Sequence, residues 1–246
     1  MIQPKSFRSC ARLASCVGLV ATLLIAAAPA GAALVVDEFS STVPSWPFTR
    51  STLGSAHRIE QVSSTIFSTP LGFRITELTL STADVLGMDN VSATIFNTGG
   101  YSFLDYSSST GADGLLKLTY LSTSAWPDSL ATVDLTGQGG LRIDFLGFDA
   151  PAGGPMTITV KLFDPFGGTN EQSVLVSTAG AQSVTIDLYA TPSNLDFSHV
   201  SQFEIYFDAP QGADFRVDRL ATEVPEPATV GLLTLGLGAL LVRRKK

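Results

Sequence analysis

The 246-residue chain carries 22 acidic and 15 basic residues, a net charge of −7, spread unevenly along it. Three bases precede residue 34 and four close the chain, while Glu223 and Glu226 adjoin that end, so residues 34–222 hold eight bases against twenty acids, close to −12. A segment this acidic excludes nucleic acid and anionic membrane surfaces, which are bound by basic patches, and suits cation binding or plain solubility.

Met1–Arg12 contains Lys5, Arg8 and Arg12 and no acid. Leu13–Ala28 is apolar and small, and Ala28-Pro29-Ala30-Gly31-Ala32-Ala33 offers several small-x-small sites. The order predicts a secretory signal peptide over 1–33, cut after Ala32 or Ala33 and read by the Sec translocon; an uncleaved signal anchor is the alternative. Leu13-Ala14-Ser15-Cys16 imitates a lipoprotein box, but such a box follows the apolar segment and Cys16 stands at its beginning. Cys10 and Cys16 are the only cysteines and both lie in the removed piece. The mature chain then has no disulfide and no cysteine metal site, and its core must hold it, alone or with a bound metal ion.

Residues 34–222 suffice for one sizeable domain. No apolar period of 3.6 is sustained in it; the two-residue alternation of half-buried strands recurs instead. Candidate strands are Leu34–Phe39, His57–Phe67, Phe73–Leu80, Val91–Phe96, Tyr101–Tyr106 and Leu115–Leu121, then the more regular Leu141–Phe145, Met156–Leu162, Val184–Tyr189, Ser201–Asp208 and Phe215–Val217. In Met156–Leu162 the residues Met156, Ile158, Val160 and Leu162 face inward; in Ser201–Asp208 Phe203, Ile205 and Phe207 do, with Gln202, Glu204, Tyr206 and Asp208 opposite. Gly-rich turns such as Asn97-Thr98-Gly99-Gly100 and Gly137-Gln138-Gly139-Gly140 separate them. The expectation is an all-β, antiparallel sandwich of jelly-roll type.

Asp37, Glu38 and Asp218 lie on the first and last strands, which often meet in such a fold. They would ligate a structural Ca²⁺, or stand as solvated acids on edge strands. Tyr189 and Tyr206 fall in polar register, and Trp46 and Trp126 lie in Pro-flanked loops. Each would stack on a sugar ring or plug the sandwich. Catalytic groups are few. His57 and His199 have no metal spacing, and no Gly-x-Ser-x-Gly elbow or phosphate-cradling loop occurs. Glu204 is the one carboxylate on a well-defined polar face, without an evident partner for glycoside hydrolysis. No enzymatic activity is expected.

The chain ends in three blocks: Val224-Pro225-Glu226-Pro227, an apolar run from Ala228 to Val242, and Arg243-Arg244-Lys245-Lys246. Two prolines stop any strand before them, and the basic end resists translocation and marks the cytoplasmic side. The run reads as a membrane helix over 228–242. At 1.5 Å per residue it rises only about 22 Å against a hydrocarbon core of roughly 30 Å, which leaves a buried helix as the alternative.

This tail resembles a PEP-CTERM sorting signal, a family found on exported proteins of Gram-negative bacteria that make exopolysaccharide. The resemblance implies processing by exosortase near Pro225-Glu226-Pro227. It implies inner-membrane anchoring through 228–242 until then, with 223–227 as spacer and 243–246 as cytoplasmic tail, and the cell surface or the medium afterwards. A weaker resemblance runs from Asp134-Leu135-Thr136 to Phe215-Arg216-Val217-Asp218, with Val36-Asp37-Glu38-Phe39 at the start. It is similar to the galactose-binding-like jelly rolls of carbohydrate-binding modules. Three roles follow as expectations: a structural or adhesive component of an exopolysaccharide or biofilm matrix; a carbohydrate-binding module, with or without Ca²⁺; or a polysaccharide hydrolase.

Overall fold

A strand with period-two patterning has one apolar face, and a sheet buries that face only against another layer. The computed structural model describes residues 32–39, 47–62, 72–82, 89–98, 101–121, 132–149 and 154–224. Ala33–Glu223 form one unit. Its strands are β1 (Val35–Asp37), β2 (Pro47–Arg50), β3 (Gly54–Val62), β4 (Gly72–Thr82), β5 (Val91–Thr98), β6 (Tyr101–Ser108), β7 (Asp113–Leu121), β8 (Gly140–Asp149), β9 (Met156–Phe163), β10 (Thr169–Val176), β11 (Gln182–Asp187), β12 (Gln202–Ala209) and β13 (Asp214–Glu223). A single 3-10 turn, Phe197–His199, is the only helical element among the described residues. No helix among them is long and apolar enough to cross a membrane. The predicted span 228–242 and signal residues 1–31 lie outside the described residues.

One antiparallel sheet runs β11-β8-β13-β6-β5-β2, with β1 beside the end of β13; the other runs β10-β9-β12-β7-β4-β3. The all-β sandwich expected from the alternation is what forms. β8 flanks β13 along its whole length, while β6 covers Asp214–Val217 and β1 covers Leu220–Ala221 on the opposite side. From β6 to β13 the chain changes sheet at every link except the β9–β10 hairpin.

The core is made where the alternation said. Met156, Ile158, Val160 and Leu162 of β9 and Phe203, Ile205 and Phe207 of β12 are all fully buried. Phe207 stacks on Phe215 of the opposite sheet at 5.2 Å, and Tyr106 stacks on the same ring at 4.7 Å. Phe145 meets both phenylalanines edge-on. Each such ring contributes about 1.5–3 kcal/mol by leaving water.

A charge also crosses the core. Arg74 of β4 is 0 % exposed, and its Nη1 pairs with Asp37 Oδ2 of β1 at 2.5 Å. Tyr120 of β7 donates to the same oxygen at 2.9 Å, and the Phe39 N–H donates to Oδ1 at 2.7 Å. Phe39 adopts φ 52°, alone among the described non-glycine residues, which turns its ring in over the Arg74 guanidinium. A buried pair whose carboxylate is hydrogen-bonded at both oxygens is tolerable; either half alone is not.

Several elements differ from the expectation: β8 and β13 run past the expected Leu141–Phe145 and Phe215–Val217 to Asp149 and Glu223. The segment expected over Val184–Tyr189 stops at Asp187, whose carboxylate accepts the Tyr189 N–H at 2.8 Å and bends the chain. β2 was not among the candidate strands. Neither was β10, because its inward positions include Asn170 and Gln172 while Leu175 faces out. A strand with that inverted polarity carries no apolar alternation to read.

Candidate functional site

β13 delivers the chain to its C-terminal segment, held on both sides to the last residue. Thr222 N–H donates to Leu34 C=O and Leu34 N–H to Thr222 Oγ1, both at 2.8 Å. Gly139 N–H donates to Glu223 C=O at 2.6 Å. Val224 is the last described residue. Pro225, Glu226, Pro227, Arg243, Arg244, Lys245 and Lys246 lie outside the described residues.

The three acids expected to share a cation are dispersed by their partners. β1 and β13 do pair, but Asp37 turns inward to Arg74 and Tyr120, whose hydroxyl pKa rises well above the usual value through burial and then the charge of Asp37. Glu38 is exposed, 3.8 Å from Arg219. Asp218 is exposed on a β-bulge of β13, between residues that pair with Phe145 and Asp144. Among the described residues no group of three or more His, Cys, Asp or Glu side chains is placed to hold a metal ion.

Tyr206 lies on the outer face of the six-stranded sheet, where its register placed it. Lys117 and Lys161, from the strands on either side, come to 5.2 and 5.3 Å from its ring centroid. Its hydroxyl donates to Glu204, which also takes Lys117 at 2.7 Å and Gln202 at 2.9 Å. Burial opposes the charge on Lys117, but the Glu204 hydrogen bond and charge outweigh it and raise its pKa. Burial and then Glu204 raise the Tyr206 pKa. A ring bracketed by ammonium groups is not a bare platform for a sugar. Tyr189 stacks on Phe197 at 4.3 Å and donates to Leu135 C=O, so it fastens a turn. Trp46 and Trp126 lie outside the described residues.

His199 closes the 3-10 turn capped by Asp196. Asp196 Oδ2 and Ser198 Oγ both lie 2.8 Å from its Nδ1. A nucleophile–base–acid relay needs the two on opposite ring nitrogens. The Ser198 hydroxyl, and then His199, lower the Asp196 pKa. The arrangement is a cap.

The outer face of the seven-stranded sheet holds a feature that side-chain register did not reveal. In β8 the alternation breaks: Phe145 and Phe148 are both buried, with Leu146 and Gly147 between them. Gly147 opposes Arg216 and Phe145 opposes Val217, so Leu146 is an extra residue that bulges outward, 48 % exposed. A Cβ built on Gly147 would meet nothing within 4 Å. The result is an open groove of about 510 Å³ over the glycine. One wall is layered: Arg216 lies 5.7 Å from the Phe103 ring centroid, and Phe103 stacks on Phe96 at 5.0 Å. Asp105 accepts from Arg216 Nε at 2.6 Å. Leu146 and the Gly180–Ala181 turn, tied to Phe148 by two backbone hydrogen bonds, line the other side. Asp149 and Asp214, directly paired across β8 and β13, also line it. The signal in the sequence was a glycine inside a strand where the alternation slips, a mark of a bulge.

No curated protein matches the chain. Among solved structures it is similar to a family 11 carbohydrate-binding module of a cellulosomal cellulase of Clostridium thermocellum. The identity is 12 % and the TM-score 0.37, over 80 % of this chain and 96 % of that one. It is also similar to an agarase, at 12 % identity and a TM-score of 0.35, over 59 % of this chain. The match takes in 24 % of the agarase, so the chain spans about a quarter of that enzyme's length. Likenesses at these scores say nothing of ligand or activity. The C-terminal match is of another kind: residues 223–246 match the PEP-CTERM protein-sorting motif, a signal that implies export and processing by exosortase.

Proposed function

We propose that the protein is an exosortase-sorted envelope component whose β-sandwich has a structural or adhesive role in an exopolysaccharide or biofilm matrix. The observation that carries this reading is the sorting motif over 223–246, which begins at the last residue of β13. In this reading a signal peptide over 1–33 takes the chain through the Sec translocon. The apolar run 228–242 and its basic end hold it in the inner membrane until processing near Pro225-Glu226-Pro227. In this reading the sandwich is a jelly roll, supported by the nested orders β6-β13-β8-β11 and β7-β12-β9-β10. On the same reading it acts without catalysis and without a cofactor, which is supported by the pairing of Asp37 with Arg74 and by the capping role of His199.

The test is the fate of the full chain in cells with and without exosortase. With the enzyme, a shortened chain is expected in the surface and matrix fraction; without it, a full-length chain in the membrane fraction. An identical size and distribution in both strains would sink the reading.

A further inference from the structure

We infer that the groove over Gly147 binds an uncharged glycan chain, an assignment that rests on the adhesive reading and names its ligand class. A sugar chain offers flat C–H faces and rims of hydroxyls, and a site for it needs apolar surface beside planar polar groups. The groove has both. Leu146, 48 % exposed, supplies the apolar surface of the groove; Phe103 lies beside it, engaged by Arg216 and Phe96, and the Tyr101 ring, 78 % exposed, lies two residues from Phe103 on the same strand face. Asp105 and Arg216 form a planar donor–acceptor pair already fixed by their mutual hydrogen bond, so little side-chain freedom is lost on binding.

The charge selects the class. Three carboxylates, Asp105, Asp149 and Asp214, line the groove against the single guanidinium of Arg216, which Asp105 already engages. A polyuronate or sulfated chain would meet net repulsion there, within a segment that carries twenty acids and eight bases. Hydroxyl groups donating to carboxylates meet none. The cavity volume lies within the range usual for small-ligand sites, about 300–1,000 Å³. The bulge explains why the site exists: it turns Leu146 outward and leaves Gly147 as a floor without a side chain.

The experiment uses the full chain purified in detergent and affinity electrophoresis through gels containing dextran, amylose, galactomannan or a mixed β-glucan. Alginate and polygalacturonate serve as charged counterparts. Retention by at least one uncharged glycan and by neither polyuronate is expected. Gly147→Leu should weaken that retention about tenfold or more by filling the floor, with no loss of melting temperature, because the added side chain meets open space. Tyr206→Ala, on the other sheet, should leave it unchanged. Retention by no uncharged glycan, preference for a polyuronate, or retention that survives Gly147→Leu would each overturn the inference. Failure here is separable from failure of the adhesive reading: a Gly147→Leu chain that still enters the matrix in cells keeps that reading and removes the groove from it.

Discussion

Both sheets pair polar side chains, Arg142 with Asp144 and Arg216 with Asp105 on the seven-stranded one, but their outer faces differ in what those pairs surround. On the six-stranded sheet the network gathers round the aromatic ring. Arg74 faces in to Asp37; on the outer side Glu204 gathers Lys117, Gln202 and Tyr206, and Lys161 takes Glu171 at 2.9 Å. On the seven-stranded sheet a bulge and a glycine open a groove with polar groups along it. An aromatic residue in polar register is therefore no guide to a binding face; what counts is whether its neighbours leave it free. Substitutions on the first sheet should change stability and spare binding, and those around the groove should do the reverse.

The sharpest break of that contrast is at Arg74. Arg74→Ala leaves Asp37 buried without its counter-charge, and a loss of about 3–5 kcal/mol is expected in urea unfolding. A loss below about 1 kcal/mol would mean that the sandwich does not depend on this pair between its two sheets. Next comes Glu204→Ala, which strands Lys117 and the Tyr206 hydroxyl in a partly buried setting. About 1–3 kcal/mol should be lost, with glycan retention intact.

Asp208 tests the contrast through pH. Burial, and then the charge of Asp113, raise its carboxyl pKa above the usual range. The folded state thus holds this proton more tightly than the unfolded chain. Its contribution is favourable in acid and is lost as pH climbs from the ordinary carboxylate pKa through the raised one. Asp208→Asn should raise the melting temperature slightly at neutral pH, the side chain being exposed, and give no gain in acid. Smallest of all is the response to metal: chelator and Ca²⁺ should leave the melting temperature in place, since Asp37 is occupied by Arg74 and Tyr120. A rise with Ca²⁺ would revive the shared-cation reading of Asp37, Glu38 and Asp218 by mass action.

How much of this the sequence disclosed depended on whether the information was local. The alternation in β9 and β12 is local, and the residues it turned inward are all buried, although Glu204, placed on the polar face, is buried too under its partners. The sorting motif is a linear run and needs no fold to be read. The Asp37–Arg74 pair spans 37 residues and two sheets, so Asp37 read as a free acid. In the groove, the slip at Leu146–Gly147 was visible, but that it faces Arg216 depends on the register of β8 against β13. β10 hid because its inward face is polar.

One strand, β13, carries Arg216 at the groove and ends at Glu223, where the sorting motif begins. At about 3.3 Å per residue the two points lie roughly 23 Å apart along it. Tension between a matrix polymer held in the groove and whatever grips the chain's end would run down this single strand. β13 is not at an edge: β8 lines one side throughout, with β6 and then β1 on the other. A pull along its axis would load those ladders together in shear and could not unzip them one hydrogen bond at a time, so the strand is placed to act as a mechanical strut.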